Sequence, residues 1–387
     1  MCFRSDAYLG MTFVQRFSQT IMTARCQRAF VLLFALATTA AAQEIPARLA
    51  DSTYWRLVTE FSEPSGNFPS DNLLSNETSL QYVIPELLRS TKPGGVYLGV
   101  APEQNFTYLG ALKPKIAFIV DIRHDNSLLL LVYKALFELS IDRAEFTSRL
   151  FSRPRPDGLD TASTIEQLMQ AYSTAPRDSA LFARNLAAVR DRLVKTHGFP
   201  LTADELVNID YLYSWFFNAG PNLSYNMNMG GFRGRYPTYA MLMLETDGAG
   251  GQRSYLANEA NFRVVKGMEA NNLIVGITGD FTGPKALRAV GNYVREHHAT
   301  ITAFYVSNVE FYLFRQGDDW RKFYANVATL PLDESSTFIR SLSQGFGFRP
   351  GSPNGQQVEL LCSMSGLLKA YNEGKISYYM DMINLSK

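Results

Sequence analysis

The sequence predicts an α/β fold with a Rossmann-like, mostly parallel sheet and a large helical insertion. Apolar runs of strand length recur at 96–100, 116–121, 273–277 and 301–306, and each ends in a polar turn. Stretches of helical periodicity separate the strands within each pair. Strands that alternate with helices favour a parallel sheet covered by helices.

The first half of this pattern begins after a helical stretch and a turn-rich segment. The elements predicted up to residue 139 are helices at 47–61 and 77–90, a strand at 96–100, a helix at 105–112, a strand at 116–121 and a helix at 126–139. The last of these helices is apolar on nearly every face at its start. That composition is typical of a helix packed between a sheet and a further layer.

A break at 152–160 (SRPRPDGLD) separates this half from a mainly helical insertion over 151–270. Capping boxes at Ser163/Glu166 and Thr202/Glu205 predict two helix starts within it. The loop 230–237 (GGFRGRYP) is too irregular for helix or strand.

The second half of the pattern follows the insertion. The elements predicted there are a strand at 273–277, a helix at 284–298, strands at 301–306 and 337–341, and a tail from 351 with a short helix. The predicted organisation is therefore an N-terminal helical segment (43–93), two core halves (94–150 and 271–350), the insertion between them and a C-terminal tail (351–387).

The composition bounds the class of protein. With 387 residues, 46% of them hydrophobic and 13% aromatic, the chain is long enough to bury a large core. Residues 43–387 carry 33 basic and 35 acidic groups. This balance gives no electrostatic basis for binding nucleic acid.

The first 42 residues have the features of a secretory signal peptide. Arg25 and Arg28 precede an apolar run at 29–37, and three alanines follow at 40–42. Met22 is a natural start for this segment, and an uncleaved membrane anchor is the alternative. We therefore expect an exported protein, periplasmic or secreted, without a stable membrane anchor. Cys362 is then the one remaining cysteine, so no internal disulfide is expected.

Polar residues follow four of the predicted strands. They are the first turn from Gly99 to Asn105 (GVAPEQN, with Glu103 and Gln104), Asp121 with Arg123, Gly279 with Asp280, and Ser307 with Asn308. The carboxyl ends of parallel strands share one edge of a sheet, where ligands bind. An acid that ends the second strand is placed to accept hydrogen bonds from ribose hydroxyls.

In these residues the chain resembles the class I S-adenosylmethionine-dependent methyltransferases. The resemblance covers about 94–142 and 273–313. It implies a methyltransferase-like fold with S-adenosylmethionine as cofactor. It implies that Gly99 and Glu103–Asn105 contact the amino-acid end of the cofactor. Asp121 with Arg123 would bind its ribose and Asp280 its adenine. Tyr305, Ser307 and Asn308 would face the reacting methyl group and the acceptor. The chain as a whole also resembles a family of exported bacterial proteins marked by YLGVAPEQNFTY, FIVDIR, LFSRPRP and AFYVSN.

Further residues are candidates for holding a small-molecule substrate. Asn76 and Glu77 precede a predicted helix, and Arg233 and Arg235 lie in the glycine-rich loop. Each candidate also has a structural interpretation, since Asp121, Asp280, Asn308 and the pair Asn76/Glu77 are all placed to cap helices, and the arginine loop to form a surface turn.

Several common sites are disfavoured. The sequence lacks GxGxxG, GxSxG and GxxxxGK[ST], which argues against a standard dinucleotide site, an ordinary α/β-hydrolase and a P-loop. The four histidines have no metal-ligand spacing, so no metal site is expected.

Two functions remain open from the sequence. The first is methyl transfer to an unknown small acceptor. The second is an exported binding or scaffold protein that retains the fold without the cofactor, which Pro102 in the first turn and the signal segment favour.

Overall fold

A six-stranded sheet forms the centre of the protein. In this computed structural model, which describes residues 44–225, 236–342 and 358–386, the strands are β1 (Val96–Gly99), β2 (Ile116–Asp121), β3 (Ile274–Thr278), β4 (Ile301–Ser307), β5 (Thr337–Ser341) and β6 (Glu359–Ser363). Their order is β3-β2-β1-β4-β5-β6. Strands β1 to β5 are parallel and β6 runs antiparallel to β5. This is the Rossmann-like order with a reversed last strand, which confirms the predicted fold class.

The described helices connect and flank these strands. They are α1 (Asp51–Phe61), α2 (Ile84–Ser90), α3 (Gln104–Leu112), α4 (His124–Leu139), α5 (Arg143–Phe151), α6 (Ile165–Thr174), α7 (Ser179–Asp191), α8 (Ala203–Ala219), α9 (Tyr239–Leu244), α10 (Glu259–Ala270), α11 (Ala286–Glu296), α12 (Val309–Leu313), α13 (Asp319–Val327), α14 (Met364–Asn372) and α15 (Tyr379–Asn384). A π-helical turn at Arg192–Thr196 follows α7.

Helix α4 is the most deeply buried helix of the core. Every residue from Asn126 to Phe137 is buried. One side of α4 packs on β2 and β3, and α8 and α10 cover the others. The prediction of a helix packed between the sheet and a further layer is thus confirmed, and the all-round apolar sequence is explained.

The predicted insertion, which contains α6 to α10, supplies that further layer. As predicted, it is mainly helical. Its described part contains an isolated antiparallel β-bridge between Ser224 and Thr238. The capping box at Thr202/Glu205 is present. The other box is formed by Thr164 and Gln167, one residue later than predicted, because Ser163 instead bonds Asp160 in the preceding turn. Residues 1–43, with the signal segment, and Arg233 and Arg235 lie outside the described residues.

Several elements differ from the prediction. Helix α13 was not predicted, residues 78–83 form turns, and helix α2 begins only at Ile84, with Pro85 in its first turn. Glu77 is directed into the core, where hydroxyl groups bind it, and a continuous helix does not form there. Strand β6 was not predicted, because a five-residue edge strand directly before a helix has no alternating pattern to mark it. No helix in the described part of the chain has the length and apolarity needed to cross a membrane.

A buried charge network joins the insertion to the core. His197, just after the π-helical turn, lies 2.8 Å from Asp51 of α1 and 2.7 Å from Glu138 of α4. Lys134 is 2.8 Å from Glu138. Burial lowers the pKa of His197, but the bonds to Glu138 and Asp51 outweigh it, so the pKa is raised overall. The charged imidazole therefore stabilises the junction of three elements.

This network predicts a pH-dependent stability. Because the pKa of folded His197 is above the unfolded value, its contribution is complete below about pH 6.5 and decreases as pH rises through the folded pKa. His197→Gln should cost about 1.5–3 kcal/mol in acid and less in alkali. Urea unfolding of both proteins over pH measures this, with His298→Asn at an exposed position as the control. A difference that is constant with pH would contradict the role of the charge.

Candidate functional site

A cavity of about 340 Å³ lies at the carboxyl ends of β1, β2, β3 and β4. The strand order reverses between β1 and β4, so the cavity is at the switch point where ligands bind in open α/β sheets. Its volume is within the range of about 300–1,000 Å³ found for small-molecule sites.

The cavity brings together residues from all four predicted strand ends. The predicted site residues that line it are Asn76, Gln104, Asp121, Asp280, Ser307 and Asn308. Six others are placed behind or beside the lining: Gly99, Glu103, Asn105, Arg123, Tyr305 and Glu77. Arg233 and Arg235 are outside the described residues.

Asp121 is the charged group at the centre of the strand ends. It is 4% exposed. One carboxylate oxygen accepts a hydrogen bond from the Ala101 amide at 3.2 Å and the other from the Arg123 amide at 2.9 Å. Burial raises the pKa of Asp121, and the charge of Arg123 and the two amides oppose that shift. The residue thus holds two local turns and does not bond the amides of the first turn of α4, while each oxygen keeps acceptor capacity.

The turn after β1 is held by a buried asparagine. Asn105 donates from its amide nitrogen to the carbonyls of Val100, Ala101 and Pro102 at 2.9, 2.8 and 2.8 Å. Ala101 has a φ of +62°, a left-handed conformation that is costly for alanine. Strain of this kind is common at functional sites. Asn105 therefore shapes the cavity without lining it.

Gly99 has a packing role in the same turn. A Cβ atom at this position would lie 1.9 Å from the Asn105 side-chain oxygen. Glycine is thus required for Asn105 to reach the turn. The residue predicted to approach a ligand instead makes room for a neighbouring side chain.

Glu103 and Gln104 point in different directions. Glu103 is fully buried and accepts a hydrogen bond from the Ser75 amide at 3.1 Å. Burial raises its pKa to about 7. Gln104 lines the cavity and donates to the Tyr305 hydroxyl at 3.2 Å, while its side-chain oxygen has no hydrogen-bond partner in the described chain. That buried acceptor is available to a donor on a ligand.

The end of β3 is organised by a residue that the sequence did not single out. Glu63 accepts hydrogen bonds from the amides of Asp280, Lys285 and Ala286, and so caps the start of α11. Asp280 binds the amide and hydroxyl of Thr282 with one carboxylate oxygen. It therefore stabilises its own turn and also lines the cavity.

The end of β4 carries a hydrogen-bonded chain. The hydroxyls of Tyr305 and Ser307 donate to the two oxygens of Glu77. Ser307, on the cavity wall, has a φ of +52°. Asn308 is the residue before α12 and its side chain makes no capping bond there. The interpretation of Asn308 as a side-chain cap is thus wrong.

A strap of residues 62–76 closes the cavity on the N-terminal side. It is fixed to the sheet by bonds from the Glu63 amide to the Thr278 carbonyl and from the Gly66 amide to the Ile122 carbonyl, both 2.8 Å. Phe68 of the strap stacks edge-on against Tyr312 at 5.5 Å between ring centroids. The lining residues that sequence reasoning missed are Asn67, Phe68, Pro69, Asn72, Leu74, Ser75, Val120, Ile122, Tyr225, Phe281, Val309, Tyr312, Leu313 and Gln316. The turn-rich sequence of the strap predicts a loop, but it does not predict where that loop crosses the sheet.

The insertion lies beside the strand ends more than above them. Of its described residues, Tyr225 alone lines the cavity. Arg123 lies in a second, open hollow of about 450 Å³ with His124 and Asp125. Arg123 therefore acts on the cavity through its charge near Asp121.

The described cavity wall is acidic. It holds the carboxylates of Asp121 and Asp280, and the lining residues that the structure describes include no Lys, Arg or His. Such a wall disfavours phosphate groups and suits a neutral or cationic ligand rich in hydrogen-bond donors. Within the described ranges no group of three or more His, Cys, Asp or Glu is placed to hold a metal ion.

Fold and site together define a Rossmann-like α/β protein with a ligand-sized, acidic cavity at the carboxyl ends of its strands. The chain belongs to the family described as a domain of unknown function (DUF7790), which matches residues 73–200 and 223–366, more than half of the chain. No curated protein matches it. The two matched ranges contain the four strands that form the cavity.

Proposed function

We propose that this protein binds an S-adenosylmethionine-type nucleoside in the cavity and acts as a methyltransferase-like protein on a small acceptor. The observation that carries the proposal is the position of Asp121, a buried carboxylate at the end of β2 that lines a cavity without a described cationic side chain. A ribose presents two neighbouring hydroxyl donors, and a carboxylate at this position of a Rossmann-like sheet accepts them. Dinucleotides and nucleoside phosphates would bring anionic groups to an acidic wall.

The lining residues fit the chemistry of such a nucleoside. Phe68, Val120 and Phe281 offer apolar surface for a base, and Asp280 offers an acceptor for an exocyclic amine. The unpartnered oxygen of Gln104 suits the ammonium of the amino-acid end. The described cavity thus combines an apolar surface with a few convergent acceptors, as in most small-molecule sites.

The reacting side would be the end of β4. The nucleoside supplies an activated methyl group, and the protein's contribution is to place the acceptor in line with it and to remove a proton. Ser307 and Asn308 are the polar groups of that wall, and Tyr312 and Leu313 of α12 bound the space beside them. Tyr305 is buried behind Ser307 and supports the wall through Glu77.

Calorimetry with the intact protein tests the proposal. S-adenosylmethionine and S-adenosylhomocysteine should each bind, and binding should raise the melting temperature by mass action. ATP and NAD, which carry phosphates, should give no heat under the same conditions. Neither heat nor a thermal shift with the two sulfur nucleosides at about 1 mM, a level at which even weak sites respond, would refute it.

A second function is favoured by one feature of the site. Both oxygens of Asp121 already accept backbone hydrogen bonds, as they would in a protein that kept the fold and lost the cofactor. An exported binding protein of this kind predicts that Asp121→Ala leaves partner binding intact. Export itself is part of the proposal and rests on the signal-like segment in residues 1–42.

A further inference from the structure

Two buried carboxyl groups lie directly behind the cavity wall. Glu77 follows the strap and Glu359 begins β6, and they are 1% and 4% exposed. The Ser307 hydroxyl, on the wall, donates to one oxygen of Glu77, and the Tyr305 hydroxyl donates to the other. Glu77 is therefore out of contact with the cavity but one hydrogen bond away from it.

The surroundings of Glu359 favour its protonated form. In the described part of the chain no donor meets hydrogen-bond geometry at either of its oxygens, and the nearby Ser341 hydroxyl opposes the effect of burial only in part. A buried carboxylate without donors is strongly destabilised, and a neutral carboxyl beside another carboxylate donates to it instead. Burial raises the pKa of Glu359, and the charge of Glu77 raises it further. The pair thus shares one proton.

The described surroundings of the pair hold no compensating cation. The titratable groups that act on it are Tyr97 of β1, Glu103 of the first turn, Tyr108 of α3 and Tyr305 of β4. None carries a positive charge. Among the described residues, neither carboxyl forms an ion pair with Lys, Arg or His. A second proton or a cationic ligand is therefore what can neutralise Glu77.

Hydrogen bonds connect Glu77 to the ends of β1 and β4, the two strands at the switch point. Gln104 donates to the Tyr305 hydroxyl, Tyr305 donates to Glu77, and Ser307 donates to the other oxygen of Glu77. The chain starts and ends on the cavity wall, since Gln104 and Ser307 both line it. Because the proton of Ser307 is directed at Glu77, the lone pairs of its oxygen are free to accept a proton from the cavity.

We propose that Glu77 is the proton acceptor of the cavity, reached through the Ser307 hydroxyl, and that Glu359 holds the proton already present in the pair. The assignment rests on the proposed function, because the proton comes from the methyl acceptor. Ser307 is then the catalytic residue that touches the acceptor, and Glu77 is a positioning residue that acts through it.

The reaction transfers one methyl group to the acceptor and one proton from it. The acceptor, X–H, uses an electron pair to bond the methyl carbon, and the pair of the broken carbon–sulfur bond stays on sulfur as a thioether. The X–H proton moves to the Ser307 oxygen as the original Ser307 proton moves to Glu77. The positive charge lost by the sulfonium is thereby recovered as the proton on Glu77, and no other reactant is needed.

The charge state of Glu77 gives a test in the intact protein. The affinities for cationic S-adenosylmethionine and neutral S-adenosylhomocysteine are measured from about pH 5.5 to about pH 8.5, above the ordinary glutamate pKa of about 4.3. In the wild type, the preference for the cation should rise about tenfold with pH as Glu77 ionises, the equivalent of one pKa unit of coupling. In Glu77→Gln, which keeps both hydroxyl contacts, most of this rise should be lost, and a smaller pH dependence from Glu103, whose pKa is about 7, should remain.

Tyr305→Phe is the matched control. It removes the other hydrogen bond to Glu77 and leaves the carboxylate in place, so its preference should still rise with pH. A wild-type preference that is constant with pH, with both nucleosides bound, overturns the role of Glu77 and leaves the nucleoside site standing. Binding of neither nucleoside overturns the proposed function and this role with it.

Infrared spectroscopy tests the shared proton without any ligand. Near neutral pH the difference spectrum between the wild type and Glu359→Gln should contain a protonated-carboxyl band. Because the pKa of Glu103 is itself about 7, the same difference band should be obtained in a Glu103→Gln background. A spectrum that Glu359→Gln leaves unchanged would show that Glu359 is ionised, which contradicts the assignment.

Discussion

Arg340→Ala is expected to destabilise the protein by about 3–5 kcal/mol, the cost of leaving one member of a buried ion pair alone. Arg340 of β5 is 1% exposed and binds both oxygens of Glu310 of α12, at 2.8 and 3.1 Å. The Tyr324 hydroxyl donates to Glu310 at 2.7 Å, and Arg340 also donates to Ser386 at 2.9 Å. When the guanidinium is removed, the buried Glu310 carboxylate keeps the hydrogen bond from the Tyr324 hydroxyl but loses its counter-charge.

Urea denaturation measures this effect, and a matched triple variant separates charge from packing. Replacement of Arg340 by Met, Glu310 by Leu and Tyr324 by Phe removes the ion pair and the tyrosine hydroxyl at similar volume. Because the Ser386 hydroxyl still donates to the Met382 carbonyl, this variant should recover most of the lost stability. A loss below about 1 kcal/mol for Arg340→Ala would mean that water reaches the site and solvates Glu310. Because α12 carries Tyr312 and Leu313 of the cavity, the same pair also fixes one wall of the site.

Asp121→Asn is expected to weaken binding of S-adenosylmethionine about 10- to 100-fold, since it removes one of two charged acceptor oxygens and a charged hydrogen bond contributes about 1.5–3 kcal/mol. The substitution also places an amide NH₂ against the amides of Ala101 or Arg123, which now donate to the carboxylate. A stability loss of about 1–3 kcal/mol should accompany the loss of binding.

Asp142→Asn is the control that separates the two effects. Asp142 is 7% exposed and caps α5 through the Glu145 amide at 2.7 Å, so it has a similar structural role outside the cavity. It should lose stability and retain binding. Unchanged nucleoside affinity in Asp121→Asn would favour a site in which Asp121 only caps its turns.

The sequence predicted the elements whose signal is local. Strands β1 to β5 were found within about one residue of each end, because short apolar runs between polar turns are a strong pattern. The polar residues at the ends of β2, β3 and β4 were correctly expected at one edge, since parallel topology alone requires it. Asp121, Asp280 and Ser307 therefore line one cavity, as predicted.

What could not be predicted depends on contacts between distant segments. Asn105 and Gly99 were expected near the ligand, but whether a polar side chain in a turn faces a cavity or its own backbone is decided by packing. Glu77 and Glu359 are 282 positions apart in sequence and meet only across the sheet. The sequence of the strap has no hydrophobic periodicity, so nothing in it predicts that the strap crosses the strand ends.

The order of the strands also sets when the site can appear during folding. Strand β1 pairs with β2, its near neighbour, and with β4, where Val96 lies opposite Ile301. Pairings between segments so far apart in sequence form slowly, because a long loop must close first. The two sides of the cavity come from segments on either side of the insertion, so an early intermediate built from residues before it has only half of a site. We expect nucleoside binding during refolding to lag behind burial of the tryptophan at position 55, and a ligand present from the start to stabilise only chains in which β3 and β4 have joined the sheet.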